Sequence, residues 1–193
     1  MYFEEFSSPQ WRLLSKVSRP SRYSGSEWRP YPVANWDDAK LKVCLCFPDV
    51  YEIGMSYYGF QIIEAFIHSM SSDYFVYRAY CVWPDMEALM RQTSTPLIST
   101  EYRHSVSDFD VIAFTLPHEA SYTNILTMID LAGLRLKSQD RKDHDPIIIA
   151  GGYGAYVPEV MNEFIDVFCV GEAEALLPTL LPVLTETLDR PRP

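Results

Sequence analysis

The chain has 193 residues, of which 48% are hydrophobic and 14% are aromatic. A chain of this length and composition can bury the core of one globular domain with a short appendage. Its 16 basic and 26 acidic side chains give a net charge of -10, which argues against a general binder of nucleic-acid phosphates. The sequence opens without a secretory signal, and no apolar run approaches the roughly 20 residues that cross a bilayer. We therefore expect a cytoplasmic protein without nucleic-acid or membrane partners.

Residues 1–39 are predicted to form an irregular N-terminal arm, because prolines interrupt any long regular element there. The arm holds three tryptophans that make it too apolar for a free linker: Trp11, Trp28 and Trp36. We expect it to lie against the domain or against another part of the protein. Residues 40–188 are predicted to form the domain itself, and residues 189–193 a tail or a truncated linker.

After the arm, short β-rich runs alternate with helical segments, which is the pattern of βαβ units and a parallel sheet. Five strands are predicted: Leu41–Phe47, Tyr74–Tyr80, Val111–Leu116, Ile147–Ala150 and Ile165–Val170. Four helices are predicted: Gly54–Met70, a short one that starts at Pro84, Glu119–Leu131 and a last one that starts near Ala173. Pro178 and Pro182 predict a kink or a short break in the last helix.

These elements predict an α/β fold, a doubly wound parallel five-stranded sheet of the Rossmann-like or flavodoxin-like kind in the order 2-1-3-4-5. Such sheets bind ligands in the crevice beyond the carboxyl ends of their strands. Four loops should therefore meet at one candidate crevice: residues 48–56, 115–121, 151–153 and 171–174.

The candidate crevice contains several residues with two possible roles. Gly151 and Gly152 would let a flat or bulky ligand approach the backbone, although a plain tight turn explains the pair equally well. Gly54 and Ser56 open a predicted helix with free amides, where capping by Ser56 is the simpler interpretation. Glu172 stands at a helix start, where the helix dipole explains a carboxylate without any catalytic role.

Other functions that this fold supports are disfavoured by the residues at the strand ends. His118 and Glu119 form one pair that could do proton chemistry, but a loop histidine is more often a hydrogen-bonding residue. A phosphoacceptor receiver is excluded, because Thr115 and Gly171 stand where it needs an aspartate and a lysine. A flavin mononucleotide site is disfavoured, because residues 48–56 lack a phosphate cradle rich in Ser and Thr.

The four cysteines are widely scattered: Cys44, Cys46, Cys81 and Cys169. Cys44 and Cys46 lie two residues apart in a strand-like run, so alternation directs both to one face. We interpret all four as buried free thiols. A zinc site would need other spacings and nearby histidines, and a chain with this much core needs no disulfide scaffold.

Seven segments follow one another in a recognisable order: Pro20–Glu27, Phe47–Ser56, Trp83–Glu87, Phe109–Val111, Glu119–Asn124, Ala150–Gly152 and Val170–Glu174. Together they resemble the opening of a bacterial radical S-adenosylmethionine (SAM) iron-sulfur protein family with a cobalamin-binding-like N-terminal domain. The resemblance implies a Rossmann-like domain of the cobalamin-binding type that sits above a radical barrel and is able to hold cobalamin. The candidate cofactor-binding residues are Gly54, Met55, Ser56, Thr115, Glu119, Ser121, Asn124, Gly151, Gly152, Gly171 and Glu172.

The sequence departs from that family in three ways. It lacks the Asp-x-His-x-x-Gly motif that supplies a histidine ligand to cobalt, so any cobalamin would bind without that ligand. It lacks the Cys-x-x-x-Cys-x-x-Cys motif of a 4Fe–4S cluster, so we expect the cluster and SAM only in a missing catalytic domain. In the third loop, Pro117 and His118 replace a Gln-Tyr pair.

We therefore predict a cofactor-binding or accessory N-terminal domain of a radical SAM protein, without catalytic activity of its own. Its expected partner is a radical SAM barrel domain, in the same chain or in a separate one. The alternative is a non-enzymatic interaction module whose empty crevice docks that partner, with the arm as the contact.

Overall fold

The computed structural model of the chain describes residues 9–25, 35–100 and 104–188. Its strands are β1 (Leu41–Phe47), β2 (Tyr74–Tyr80), β3 (Val111–Thr115), β4 (Ile147–Gly151) and β5 (Val167–Cys169). Its α-helices are α1 (Pro9–Leu14), α2 (Tyr51–Ser56), α3 (Tyr58–Met70), α4 (Pro84–Thr93), α5 (Tyr122–Leu131) and α6 (Ala173–Thr187). Within these ranges, no helix is both long enough and apolar enough to cross a membrane.

The strands form one parallel sheet in the order β2-β1-β3-β4-β5, which confirms the predicted fold class and strand order. Buried side chains lie on both faces of the sheet, as its continuous apolar strands require. Helices α3 and α6 cover the face that carries Val43 and Leu45. Helices α1, α4 and α5 cover the face that carries Cys44 and Cys46.

The predicted helix Gly54–Met70 is two helices, α2 and α3. Tyr57 interrupts them with extended backbone (φ -81°, ψ 101°). The break is closed locally, because the Tyr57 N–H donates to the Gly54 carbonyl at 3.1 Å and the Gln61 amide donates to the Met55 carbonyl at 2.6 Å. Apolar periodicity continues across the break, so it could not show where one helix ends.

Helix α6 runs unbroken from Ala173 to Thr187 with Pro178 and Pro182 inside it, so the predicted short break is wrong. Both prolines face solvent, whereas Leu177 and Leu181 are buried against the sheet. Water can therefore satisfy the carbonyls that lose their intrahelical partner.

The remaining differences from the predicted elements lie at element ends. Strand β3 stops at Thr115, and a 3-10 turn over Glu119–Ser121 precedes α5. Strand β5 is only three residues long and lies at the edge of the sheet, whereas Ile165–Val170 was expected to be strand. Ile165 is buried and Val170 is exposed, but neither pairs with β4. Apolar composition alone therefore overestimates the length of the strand.

The described part of the N-terminal arm lies against the domain, as expected. Leu13, Leu14 and Val17 are buried in the core beside α4. Ser18 donates from its backbone N–H (2.8 Å) and its hydroxyl (2.7 Å) to Asp85 at the start of α4. Arg22 donates to both oxygens of the Glu52 carboxylate on α2, at 2.8 and 2.9 Å. The arm thus fastens the two helices that follow β1 and β2.

Of the arm's tryptophans, Trp36 packs edge-on against Phe75 and Phe109 and stacks on His104. Trp28 and the Trp11 side chain lie outside the described residues. The four cysteines are free thiols. Three are buried, as predicted, but Cys169 is only half-buried, because β5 is a short edge strand.

Candidate functional site

A cleft of about 360 Å³ opens on one face of the sheet, between α3 and α6 and over the carboxyl ends of β3, β4 and β5. We call it the α3–α6 cleft. The residues that line it come from these five elements, from their loops and, in the case of Leu45, from β1: Leu45, Tyr57, Gly59, Phe60, Ile62, Ile63, Ala113, Phe114, Thr115, Ile149, Gly151, Gly152, Cys169, Gly171, Glu172, Ala173, Glu174, Leu176 and Leu177. Its volume falls in the lower part of the range of ligand pockets, roughly 300–1,000 Å³.

Hydrogen bonds hold the loops after β3 and β4 together at the edge of the cleft. The Leu116 N–H donates to the Gly151 carbonyl at 2.7 Å, and the Gly154 N–H donates back to the Leu116 carbonyl at 2.9 Å. Gly152 lies between these contacts with φ 99° and ψ -171°, a backbone region that essentially only glycine adopts. The two loop tips therefore form one backbone surface.

The two glycines of the Gly151-Gly152 pair have different structural roles. A Cβ at Gly152 would lie 3.2 Å from the Leu116 carbonyl oxygen, so the turn alone accounts for this glycine. A Cβ at Gly151 would meet only the Cβ and carbonyl oxygen of Cys169, both at an ordinary 3.6 Å. Gly151 thus keeps the floor of the cleft open, and nothing in its local packing requires a glycine.

The crevice between β1 and β3, part of the single crevice at which we expected four loops to meet, is bridged instead of open. The Asn124 side-chain amide on α5 donates to the Pro48 carbonyl at 2.9 Å and ties the loop after β1 to the helix after β3. Gly54 is buried beneath Tyr80, and a Cβ there would lie 2.6 Å from that ring. With the arm fastened over α2 and α4, this half of the carboxyl edge is closed.

The predicted site residues consequently fall into two groups. The α3–α6 cleft brings together Thr115, Gly151, Gly152, Gly171 and Glu172. The other candidates do not line it: Gly54, Met55, Ser56, Glu119, Ser121 and Asn124. Residues at the carboxyl ends of β3 and β4 and in the loop after β5 therefore meet at the α3–α6 cleft, whereas the loop after β1 does not line it.

Several residues outside the cleft have local structural partners. The Ser56 hydroxyl donates to the Ile53 carbonyl at 2.8 Å, at the carboxyl end of α2, so the predicted capping of amides at a helix start is wrong. The Met55 sulfur lies 3.3 Å from a guanidinium nitrogen of Arg78. The Ser121 hydroxyl is buried and donates to the His118 carbonyl at 2.6 Å. These contacts explain the side chains without a ligand.

Sequence reasoning did not predict the walls of the cleft. Tyr57, just before α3, and Ile62 and Ile63 on α3 line the cleft, and none of them was among the candidate site residues. Cys169 contributes a half-buried thiol, and burial raises its pKa, which keeps the thiol protonated at neutral pH. Tyr57 and Ile62 are exposed in the structure, but helical spacing in the sequence does not separate such positions from core positions.

The charged side chains that line the cleft are all acidic. Glu172 and Glu174 stand at its rim, and no lysine, arginine or histidine is among the residues that line it in the described ranges. Across those same ranges, no group of three or more His, Cys, Asp or Glu side chains is arranged to hold a metal ion. A second cavity, beneath α1 and bordered by Met86, Met90 and Leu97, measures only about 60 Å³ and is too small for a cofactor.

A doubly wound parallel sheet with a cleft at its carboxyl edge places the domain among the Rossmann-like and flavodoxin-like α/β proteins. Residues 59–192 match the family described as radical SAM proteins, N-terminal, and the chain belongs to that family. The match begins at the second residue of α3 and continues through α6, whereas the arm, β1 and α2 precede it. No curated protein matches the chain.

Proposed function

We propose that this accessory N-terminal domain of a radical SAM protein holds a cofactor, with cobalamin as the candidate, in the α3–α6 cleft. One observation carries the proposal. Five residues selected from the sequence as cofactor contacts, in three separate loops, line a single cleft of ligand-binding size. The family assignment supports the accessory role, and the glycine-lined floor supports a ligand.

The residues of the cleft suit part of a corrinoid. The exposed backbone of Gly151, Gly152 and Gly171 permits close approach of a flat ring edge, and Thr115 offers a hydroxyl for hydrogen bonding with an amide. The aliphatic floor would shield the bound part from water. When bound, cobalamin supplies a cobalt centre that carries methyl groups or electrons, and this chain's residues would hold and orient it.

A titration with hydroxocobalamin tests the proposal. We expect a change in the absorption spectrum and co-elution of the pigment with the protein on a sizing column. Gly151→Val should weaken binding by about tenfold or more, because its methyl groups would occupy the cleft floor. Ala175→Val is the matched control, since Ala175 is exposed on α6 and does not line the cleft.

Two results would count against the proposal. The first is the absence of any complex at high micromolar hydroxocobalamin while the protein is folded by circular dichroism. The second is equal affinity in the wild type and in Gly151→Val, which would mean that the pigment binds elsewhere.

A second candidate function is docking of a radical SAM barrel domain, in the same chain or in a separate one. The observation that favours it is a run of exposed apolar side chains just after β4: Tyr153, Tyr156, Val157 and Val160. Tyr153 and Tyr156 keep 76% and 63% of their surface in solvent, which is unusual for neighbouring large residues. Docking would bury them without any guest in the cleft.

The docking candidate predicts an effect on association that is independent of cobalamin. Tyr153→Ser with Tyr156→Ser should weaken binding to a separately produced radical SAM barrel domain by about tenfold or more, measured by sedimentation. Leu136→Ser is the control, because Leu136 is also an exposed apolar residue but follows α5 at the opposite edge of the sheet. Equal loss in both variants would refute a specific docking surface.

A further inference from the structure

We infer that the α3–α6 cleft selects a neutral or cationic guest with an apolar part and rejects a phosphate group. This inference rests on the proposed function and adds the chemical class of the guest. It runs against the usual preference of Rossmann-like and flavodoxin-like sheets, which hold the phosphates of nucleotides near helix starts. Three features of the cleft support it: the apolar floor, the acidic rim and the lack of a basic side chain among the described residues that line it.

The floor of the cleft is apolar. Leu45, Ala113 and Ile149 project from neighbouring strands on the face that α3 and α6 cover, and Leu177 closes the cleft from α6. Burying a charged or strongly hydrated group on such a floor costs free energy unless the group finds a partner. The guest's inner part must therefore be apolar or uncharged.

The rim of the cleft is acidic. Glu172 and Glu174 are both exposed at the start of α6, where an anionic guest would otherwise benefit from the helix dipole. That dipole is equivalent to about half a positive charge, whereas the two carboxylates carry about two negative charges at neutral pH. The carboxylates outweigh the dipole, so the rim repels phosphate and attracts cations or hydrogen-bond donors.

No basic side chain offsets these carboxylates among the cleft-lining residues in the described ranges. A phosphate site built on the same fold would need backbone amides free of nearby carboxylates, or a lysine or arginine to pair with the anion. Among the described residues that line the α3–α6 cleft, no lysine or arginine could pair with an anion, and the start of α6 carries Glu172 and Glu174 beside its amides.

Cys169 provides a reporter of this selectivity that needs no bound cofactor. Its thiol is half-buried in the cleft, whereas Cys44, Cys46 and Cys81 are buried elsewhere. A methanethiosulfonate reagent transfers its alkylthio group to the Cys169 sulfur, the sulfinate leaves with the bonding electron pair, and the thiol proton goes to solvent. Reagents of this kind exist with a cationic or an anionic head group of similar size.

The experiment measures the modification rate of Cys169 by peptide mass spectrometry, relative to the rate of each reagent with free mercaptoethanol. At low salt the cationic reagent should react about fivefold faster than the anionic one after this correction. Glu172→Gln with Glu174→Gln should bring the ratio close to one. Glu119→Gln, which removes a carboxylate at the same edge but outside the cleft, should leave the ratio unchanged.

Two results would overturn the inference. The first is a corrected ratio of cationic to anionic rates of one or below in the wild type. The second is a ratio that stays the same when both glutamates are replaced. A second comparison uses cobinamide, which shares the corrin ring of hydroxocobalamin but lacks its phosphate-bearing nucleotide tail. Cobinamide should bind at least as tightly, and tighter binding of hydroxocobalamin would also overturn the inference. If neither pigment binds, the proposed cofactor fails, while the thiol ratio still decides the charge selectivity by itself.

Discussion

The two edges of the sheet are built from different chemistry. At the amino edge, aspartates hold the strand entries, since Asp110 accepts the Lys42 N–H and Asp166 accepts the Ile148 N–H, both at 2.7 Å. At the carboxyl edge, the strands β4 and β5 run into glycines and exposed apolar side chains. Hydrogen bonds to carboxylates hold the amino edge, whereas the carboxyl edge leaves exposed backbone and an open cleft that a ligand could enter.

The carboxyl edge is itself divided. Over β1 and β2 the N-terminal arm and the Asn124 bridge close it, and over β3 to β5 it stays open as the α3–α6 cleft. The fold alone therefore does not locate the site. In such sheets the ligand usually lies at the switch point of the strand order, here between β1 and β3, and contacts within the protein fill that position.

The largest stability effect should come from the amino edge. The Arg141 side chain is fully buried and donates to the carbonyls of Arg135, Leu136 and Phe164 and to the Asp166 carboxylate. Arg141→Ala would remove the side-chain donor from the three carbonyls and the counter-charge from Asp166, at a cost of about 3–5 kcal/mol.

The loss of stability in Arg141→Ala can be measured as the change in the free energy of unfolding in urea. Lys142→Ala is the control, because Lys142 is the exposed neighbouring residue. A loss below about 1 kcal/mol for Arg141→Ala would show that the amino edge does not depend on this cluster.

At the carboxyl edge, two adjacent glycines should respond differently. Gly152→Ala should cost about 1–3 kcal/mol, because its positive φ and the nearby Leu116 carbonyl strain any side chain. Gly151→Ala should stay within about 0.5 kcal/mol of the wild type, because its Cβ makes only ordinary contacts. Denaturant melts of both variants make the comparison, and equal losses would contradict an open floor at Gly151.

The arm should loosen in acid. The Ser18 N–H donates to Asp85 and holds the pKa of that carboxyl below its ordinary value. The ionised carboxylate therefore favours the fastened arm. This contribution is fully present above the unfolded pKa, near 4, and is lost as the pH falls through the lower folded pKa.

Asp85→Asn should accordingly lose about 1 kcal/mol at neutral pH and show a flatter stability profile between about pH 5 and pH 3. Asp140→Asn, at an exposed carboxylate, is the control. If Asp85→Asn and the wild type show identical pH profiles of stability, the Asp85 carboxylate does not hold the arm against α4.

The smallest effect concerns thiol reactivity and leaves stability unchanged. Burial raises the pKa of Cys81 to about 12, with Glu87 and Asp49 adding to the shift. Only the thiolate reacts, so Cys81 should stay unmodified by iodoacetamide in the native state while Cys169 reacts slowly. Peptide mapping shows which of the two cysteines is labelled first. Faster labelling of Cys81 than of Cys169 would contradict the burial of Cys81.

The sequence predicted the sheet well because its strands are short, apolar and bounded by turn residues. Strand order followed from the doubly wound pattern, and the loops after β4 and β5 were recognisable by their glycines. The closed crevice was not predictable, because it depends on Asn124 reaching Pro48 across 76 positions of sequence. The cleft walls were missed for a related reason, since a core stripe and a cleft wall on α3 have the same helical spacing.

We propose that a guest binds over β3 to β5 and not at the junction of β1 and β3. Hydrogen exchange with and without hydroxocobalamin tests it directly. We predict slower exchange in residues 57–63, 151–153 and 169–174, with no change in residues 50–56 and 118–124. Protection of the latter two segments instead would contradict the claim and return the site to the β1–β3 crevice.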